Sequence, residues 1–167
     1  PEGTLLVDLG TNGELLLKGK DRFLATSCAT GPAFEGASLS CGMQAISGAI
    51  NRVVINDATD LPGYSMINAS TSKRQKPSGI CGTGVISAVS QFCQKGIIAP
   101  GGAFKKENNS IALSGGTPGK IHYIIAPETD SHNGSGIFIS QKDIRSVQLG
   151  KAALIAGIEF LLREAGL

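Results

Sequence analysis

The sequence predicts an α/β fold, in which a mixed sheet with a three-strand antiparallel meander is combined with packed helices. Three short apolar runs at residues 4–9, 13–18 and 22–27 are separated by turn-forming residues, and this spacing predicts three successive strands. Apolar residues then recur at helical spacing over residues 85–95 and from Ile144 to Leu162. Because strand-like and helix-like stretches alternate after the meander, we expect the helices to pack on the sheet.

The first two strands enclose a turn that begins after Asp8 and ends before Glu14. Its Asn12-Gly13 pair predicts a type I′ hairpin, because both central residues of that turn need positive φ. Backbone N–H groups in such a turn suit a phosphate, while Asp8 and Glu14 are suited to holding a cation or orienting a water. An ordinary β-hairpin with an aspartate at the strand end is the alternative interpretation.

The meander ends at Gly31-Pro32, and the next segment, residues 33–50, is rich in Ala and Gly. Its apolar spacing predicts one or two helices. β-Branched residues predict a strand at 51–56, and residues 64–69 form a weaker strand candidate. The basic stretch at 73–78 is predicted to be a solvated connection.

A second glycine-rich loop, Gly79-Ile-Cys-Gly-Thr-Gly84, leads into the predicted helix at 85–95, and Gly96 is a suitable stop. Free N–H groups and the helix dipole favour an anion at such a helix N-terminus. The order G-x-x-G-x-G is not the dinucleotide fingerprint G-x-G-x-x-G. Close packing of the helix entrance therefore explains the glycines about as well as a binding role does.

The last third predicts two strands followed by a long helix. Residues 120–126 and 136–139 are strand-like. Ser140 and Asp143 have the spacing of a capping box, and a helical stripe of apolar residues starts at Ile144. This helix is expected to serve packing, and we assign no chemistry to it.

Composition limits the classes of function. The chain has 167 residues, 41% of them hydrophobic and 17% charged, which is typical of a globular domain able to bury a core. A net charge of +2 is too small to indicate nucleic acid or an anionic membrane as a partner. No apolar run has the length of a membrane span, and no secretory signal pattern opens the sequence. We therefore expect a cytoplasmic location.

The four cysteines at positions 28, 41, 81 and 93 include no C-x-x-C pair. Structural zinc and iron–sulfur sites usually need such closely spaced ligands, so neither is expected within this sequence. A disulfide framework is also not expected, and the thiols are predicted to be reduced and mostly in the core. His122 and His132 have no ligand-spaced partners and are predicted to be ordinary core or surface residues.

Several motifs occur in a fixed order along the chain. They are Asp8-Leu-Gly-Thr-Asn-Gly-Glu14, the segment from Thr26 to Gly36, Cys41-Gly-Met43, Gly48-Ala-Ile50, Gly79–Gly84, Ser140-Gln-Lys-Asp-Ile144 and Lys151-Ala-Ala153. With these motifs the sequence resembles the ATPase domain of the reductive activators of corrinoid proteins, members of the acetate and sugar kinase, Hsp70 and actin superfamily. That superfamily has a ribonuclease-H-like fold, so the resemblance implies a ribonuclease-H-like lobe.

The resemblance implies ATP-driven electron delivery, in which an iron–sulfur domain reduces a Co(II) corrinoid to Co(I). It makes the Asp8–Glu14 stretch the second phosphate hairpin of the superfamily. Asp8 is then expected to act on Mg²⁺ through water, with Glu14 as a second catalytic carboxylate. The residues expected to contact the nucleotide are Gly10, Thr11, Asn12, Gly13, Gly79, Gly82, Thr83 and Gly84.

By the same resemblance, residues 1–167 form a single partial domain. This lobe of an ATPase domain lacks the first phosphate hairpin and the final adenosine segment. The iron–sulfur cluster and the corrinoid protein then belong to other parts of the assembly, and this lobe alone should bind ATP weakly and transfer no electrons. A small-molecule kinase of the same superfamily and a non-catalytic regulatory or interaction lobe are the alternatives.

A partner-facing role is expected for Ser27, Cys28 and Glu35, which flank the loop that Gly31 and Pro32 fix. For Cys28 the alternative is a buried thiol at a strand end.

Overall fold

A computed structural model of the chain describes residues 1–68, 75–105, 111–113 and 121–167, the three residues of 111–113 by their backbone only. The predicted meander is present as β1 (Leu5–Leu9), β2 (Gly13–Lys18) and β3 (Phe23–Cys28), an antiparallel sheet in the order β1-β2-β3. Asp8 pairs with Glu14, which in turn pairs with Ser27. The strand prediction is therefore confirmed within one residue at each end.

The predicted type I′ turn is wrong. Leu9 pairs with Gly13, so residues 10–12 form the loop, and the Gly10 N–H donates to the Asn12 carbonyl at 2.9 Å. Neither Asn12 nor Gly13 has a positive φ. Gly13 is needed for packing instead, because a Cβ at this position would lie 2.5 Å from Cδ2 of Leu154.

The helices predicted over residues 33–50 are also absent from the structure. A 3₁₀ helix spans Pro32–Glu35, and an irregular segment with positive φ at Gly36 and Ser38 follows it. This segment folds tightly on itself, since a Cβ on Gly42 would lie 1.9 Å from the Gly36 carbonyl oxygen. The apolar residues with helix-like spacing, including Leu39 and Cys41, instead pack from this irregular chain against the core.

A second sheet has the order β5-β4-β6 and is the mixed one. β4 (Ala49–Ile55) pairs antiparallel with β5 (Pro62–Met66) and parallel with β6 (Gly79–Ile80). The strand predicted at 51–56 is confirmed and begins two residues earlier. The weaker strand candidate at 64–69 is displaced toward the N-terminus, and its last residue lies outside the described ranges. Residues 73 and 74 of the basic stretch also lie outside the described ranges, and residues 75–78 are irregular.

The predicted helix after the second glycine-rich loop is α1 (Gly82–Gln94), and Gly96, just beyond it, has a φ of 64°. A third sheet contains β7 (Ile111–Leu113), β8 (Ile121–Ala126) and β9 (Ile137–Ser140), in the order β7-β8-β9. The long helix α2 covers Gln141–Ala165 and starts with the predicted capping box of Ser140 and Asp143.

The larger core lies between the second and third sheets, α1 and the start of α2, and it contains the aromatic contact of Phe92 with Tyr123. A smaller core, formed by Leu15, Leu17 and Leu161, lies between the meander and the second half of α2. The hairpin loop is thus carried by a sheet that rests on the last helix.

None of the helices in the described part of the chain is both long enough and apolar enough to cross a membrane.

Candidate functional site

The hairpin places two carboxylates side by side. Asp8 and Glu14 are directly opposite each other on β1 and β2, both exposed, and the Ser27 hydroxyl donates to Glu14 Oε1 at 3.4 Å. Like charges in opposite positions destabilise a sheet. Both side chains are therefore open to a ligand, and the paired charges suit a cation or a polar ligand better than a purely structural role.

A cation at this position would need ligands from elsewhere. Within the described residues, no three His, Cys, Asp or Glu side chains form a cluster that could hold a metal ion. Mg²⁺ is commonly held by one or two carboxylates together with waters and substrate phosphates. Asp8 and Glu14 therefore fit a Mg²⁺ that arrives with a phosphate ligand, and they do not form a complete metal site alone.

Thr30 holds the carbonyl side of the hairpin loop, which is formed by the carbonyl groups of Gly10 and Thr11. Its hydroxyl lies 3.0 Å from the carbonyl oxygens of both Gly10 and Thr11, and the Gly31 N–H donates to the Thr11 carbonyl, also at 3.0 Å. Thr30 is 3% exposed, so these contacts form a buried support beneath the loop. Sequence reasoning did not identify this residue, and its only signal is its position inside the Thr26–Gly36 motif.

Glu35 binds the donor side of the same loop, which is formed by the N–H and hydroxyl groups of Thr11. The Thr11 N–H donates to Glu35 Oε1 at 2.9 Å, and the Thr11 hydroxyl donates to Oε2 at 2.6 Å. These hydrogen bonds lower the pKa of Glu35, with the bond from the hydroxyl as the larger cause. Glu35 was expected to face a partner, but the 3₁₀ helix turns its carboxylate back onto the hairpin.

The glycines of the second loop are explained first by close packing. Within residues 79–84 only Thr83 is exposed. An added Cβ would lie 2.8 Å from the Cys41 carbonyl oxygen at Gly79, 1.7 Å from that of Phe34 at Gly82 and 2.2 Å from that of Ile50 at Gly84. These glycines therefore let backbone segments approach each other, and the structure gives them no open space for a ligand.

This second loop is nevertheless close to the hairpin. The Cβ position of Gly82 lies 3.3 Å from the backbone nitrogen of Glu35, whose carboxylate binds Thr11. The predicted arrangement, a loop that enters a helix next to the hairpin, is thus present with the 3₁₀ helix between the two. Cys81 is buried with its Sγ 3.3 Å from the Ile50 carbonyl oxygen, in keeping with the expected packing role.

Ser27 and Cys28 lie on opposite faces of the meander. Ser27 is exposed beside Glu14, on the face where Leu6 and Leu16 line a cavity of about 350 Å³. Cys28 is half-buried against α2, where a Cβ on Gly157 would lie 2.2 Å from its Sγ. The partner-facing expectation for Cys28 is therefore corrected to that of a packing thiol, because strand alternation turns it toward the helix.

Comparisons with known proteins agree with the resemblance seen in the sequence. The chain is 33% identical over 171 residues to the corrinoid activation enzyme RamQ of Eubacterium limosum, covering 98% of this chain and 27% of that protein. It is 32% identical over 182 residues to the Co(II) methylated amine-specific corrinoid protein reductase of Methanosarcina barkeri, covering 100% and 30%.

A solved structure titled reductive activator for corrinoid, iron–sulfur protein superposes with a TM-score of 0.86 at 33% identity, covering 99% of this chain and 26% of that one. The chain therefore spans less than a third of the length of these relatives. A family model described as the C-terminal domain of RACo, the ASKHA domain, matches residues 2–167. The chain belongs to this family of ASKHA domains.

Proposed function

We propose that this domain is the nucleotide-binding lobe of an ATP-dependent reductive activator of corrinoid proteins. The observation that carries the proposal is the hairpin loop at residues 10–12, whose carbonyl groups are held by buried Thr30 while the N–H and hydroxyl of Thr11 bind an anionic group, the exposed carboxylate of Glu35. Family membership and the corrinoid activation and reductase activities of the relatives support the same activity. A ribonuclease-H-like lobe, as implied by the resemblance, is the finer description of the fold within this proposal.

In this function the loop from Gly10 to Gly13 would hold phosphate oxygens of ATP. The N–H and hydroxyl of Thr11 would be its main donors, because the Gly10 N–H already donates to the Asn12 carbonyl. Asp8 would hold Mg²⁺ through its water shell, and Glu14 on the neighbouring strand would orient water beside it. Bound Mg²⁺ would supply positive charge that offsets the charge of the phosphates. The domain then works by positioning and electrostatics, with no covalent step on its own residues.

The start of α1 is the second contribution to the site. Thr83 is exposed in the first turn of the helix, where N–H groups and the helix dipole favour an anion. Gly82 lets this turn pack directly on Phe34 of the 3₁₀ helix, while Gly79 and Gly84 let the loop pack on the carbonyl groups of Cys41 and Ile50. Their role in nucleotide binding is therefore indirect, through the placement of the helix N-terminus.

The remainder of the activity is assigned to other parts of the whole protein. An iron–sulfur domain elsewhere in the protein would supply one electron to a Co(II) corrinoid protein; its cluster would be oxidised as cobalt is reduced to Co(I). The first phosphate hairpin and the adenosine segment complete the cleft from outside residues 1–167. Exposed Ser27 remains the candidate partner contact on this lobe, and a cytoplasmic location completes the proposal.

The test uses the full-length protein with its Co(II) corrinoid partner, an electron donor and Mg-ATP. Asp8→Ala should abolish the ATP-dependent loss of the Co(II) electron paramagnetic resonance signal and leave circular dichroism unchanged. Asp21→Asn, which removes a charge from the exposed turn at the far end of the meander, is the matched control and should retain the wild-type rate. Full activity of the Asp8 variant would refute the assignment, and phosphate transferred to a small molecule would favour the kinase alternative.

The partial character of the lobe is tested by titrating Mg-ATP into the 167-residue chain alone. Binding should be absent or weaker than micromolar, because one side of the cleft is provided elsewhere. A dissociation constant of about 1 μM or tighter, near −8 kcal/mol, would show that this chain holds a complete site.

A further inference from the structure

The two sides of the hairpin loop are occupied in different ways. The carbonyl side rests on Thr30, which is buried and cannot be replaced by a ligand. The donor side points away from that support, and both donors of Thr11 end on the carboxylate of an exposed residue, Glu35. A structural brace is more commonly buried, as Thr30 is, whereas an exposed carboxylate can be exchanged for another anion at little cost.

The absence of a side chain at Gly10 keeps this side open. A Cβ on Gly10 would lie 3.2 Å from Glu35 Oε1, which is tighter than an ordinary contact. A carboxylate and a phosphate present oxygens of similar size and charge to an N–H and a hydroxyl. The position taken by Glu35 therefore has the space and the donors for a phosphate oxygen.

The backbone that carries Glu35 is held firmly. The Cβ position of Gly82 would be 1.7 Å from the Phe34 carbonyl oxygen, and that of Gly150 would be 2.7 Å from the Phe34 ring. The 3₁₀ helix is thus clamped between α1 and α2. Glu35 can leave Thr11 by rotating its own side chain, without a movement of the backbone.

From these contacts we propose that Glu35 is an internal stand-in for an anion, and that a phosphate group of the nucleotide displaces its carboxylate from Thr11. This inference rests on the proposed function, and it adds that the Glu35 carboxylate competes with the nucleotide for the donors of Thr11. Glu35 keeps the donors of Thr11 paired, and only a ligand with stronger or more numerous anionic contacts gains access. Because the donors are already satisfied, single small anions such as inorganic phosphate should bind poorly.

The experiment measures Mg-ATP binding to the full-length protein by calorimetry in three variants. Glu35→Gln removes the charge, and its dissociation constant should fall by about threefold to tenfold because an exposed charge-assisted contact no longer competes. Glu35→Asp keeps the charge but is one methylene shorter, so it cannot reach both donors of Thr11, and it should also bind more tightly than wild type. Asp21→Asn should leave the affinity unchanged.

The other results are equally informative. Tighter binding by Glu35→Gln together with wild-type affinity of Glu35→Asp would mean that Glu35 only repels the nucleotide by its charge. That result would overturn the proposal that a phosphate group displaces Glu35 from Thr11. Weaker binding by both Glu35 variants would make the residue a brace for the loop, which also overturns the inference while the proposed function stands. If neither wild type nor any variant binds Mg-ATP, the proposed function fails and the inference fails with it.

Discussion

Gly82, the first residue of α1, is the position where one added methyl group tests the packing of the site most directly. In Gly82→Ala the new Cβ would lie 1.7 Å from the carbonyl oxygen and 2.4 Å from the carbonyl carbon of Phe34. An ordinary contact is roughly 3.5 Å, so the 3₁₀ helix would have to move by about 1.5–2 Å. Phe34 cannot yield easily, because its ring is packed against Gly150.

Two terms of opposite sign determine the stability of this variant. Alanine is a better helix former than glycine by up to about 1 kcal/mol, which favours the variant. Overpacking against a fixed neighbour costs about 1–3 kcal/mol and occasionally more, and here the neighbour is backbone. We therefore expect a net loss of about 2 kcal/mol in the free energy of unfolding, since the overpacking term lies at its upper end for so close an approach.

The assay is urea unfolding followed by far-ultraviolet circular dichroism, with Gly101→Ala as the matched control. A Cβ on Gly101 has no atom within 4 Å, so this variant should unfold at the wild-type midpoint. An unchanged or higher midpoint for Gly82→Ala would refute the packing argument. The glycine would then have to be explained by a ligand that approaches the start of α1.

Three further perturbations test other parts of the site and its support. Thr30→Val should cost about 1–2 kcal/mol of thermal stability, because the Gly10 carbonyl loses the buried hydroxyl and the Thr11 carbonyl keeps only the Gly31 N–H, and Thr30→Ser should retain most of that stability. Burial lowers the pKa of His122 from 6.5, so the unfolded state binds its proton first and stability should fall as the pH drops below 6.5; His122→Phe should flatten this dependence in acid unfolding curves. Asp143 accepts the backbone N–H groups of Ser40 and Ser140, each at 2.8 Å, and Asp143→Asn should lower the free energy of unfolding in urea by about 2–3 kcal/mol. A stability within error of wild type for Thr30→Val or Asp143→Asn would contradict the role given to the hydrogen bonds of that residue. An unchanged acid profile for His122→Phe would contradict the effect given to the burial of His122.

Local sequence patterns were sufficient for the elements whose reasons are local. The three strands of the meander, the apolar stripe of α1 and the capping box of Ser140 and Asp143 are all present in the structure. The prediction of the turn type was wrong because Gly13 leaves space for the side chain of Leu154, which lies far away in the sequence. The helix prediction for residues 33–50 was wrong because the glycines there permit close backbone contacts, whereas the apolar spacing alone is compatible with a helix.

The candidate site divides in the same way. The hairpin with Asp8 and Glu14 was predictable from strand and turn chemistry, and the family motif added its neighbours. The hydrogen bonds of Thr30 and Glu35 to the loop join residues 19 to 24 positions apart, so no periodicity or spacing rule indicates them. Their roles depend on how the chain turns after β3, which the sequence patterns described incorrectly.

The small core beneath the meander has a consequence for the order of folding. Leu15 and Leu17 belong to the first sheet of the domain, but the residue that covers them, Leu161, is near the end of α2, more than 140 positions later in the sequence. The hairpin strands therefore remain with an uncovered apolar face until Leu161 has also been synthesised. Contacts between such distant segments slow folding and expose strands to aggregation in the meantime. The loop that we assign to phosphate binding thus acquires its final shape only at a late stage, when the last helix closes over the first sheet.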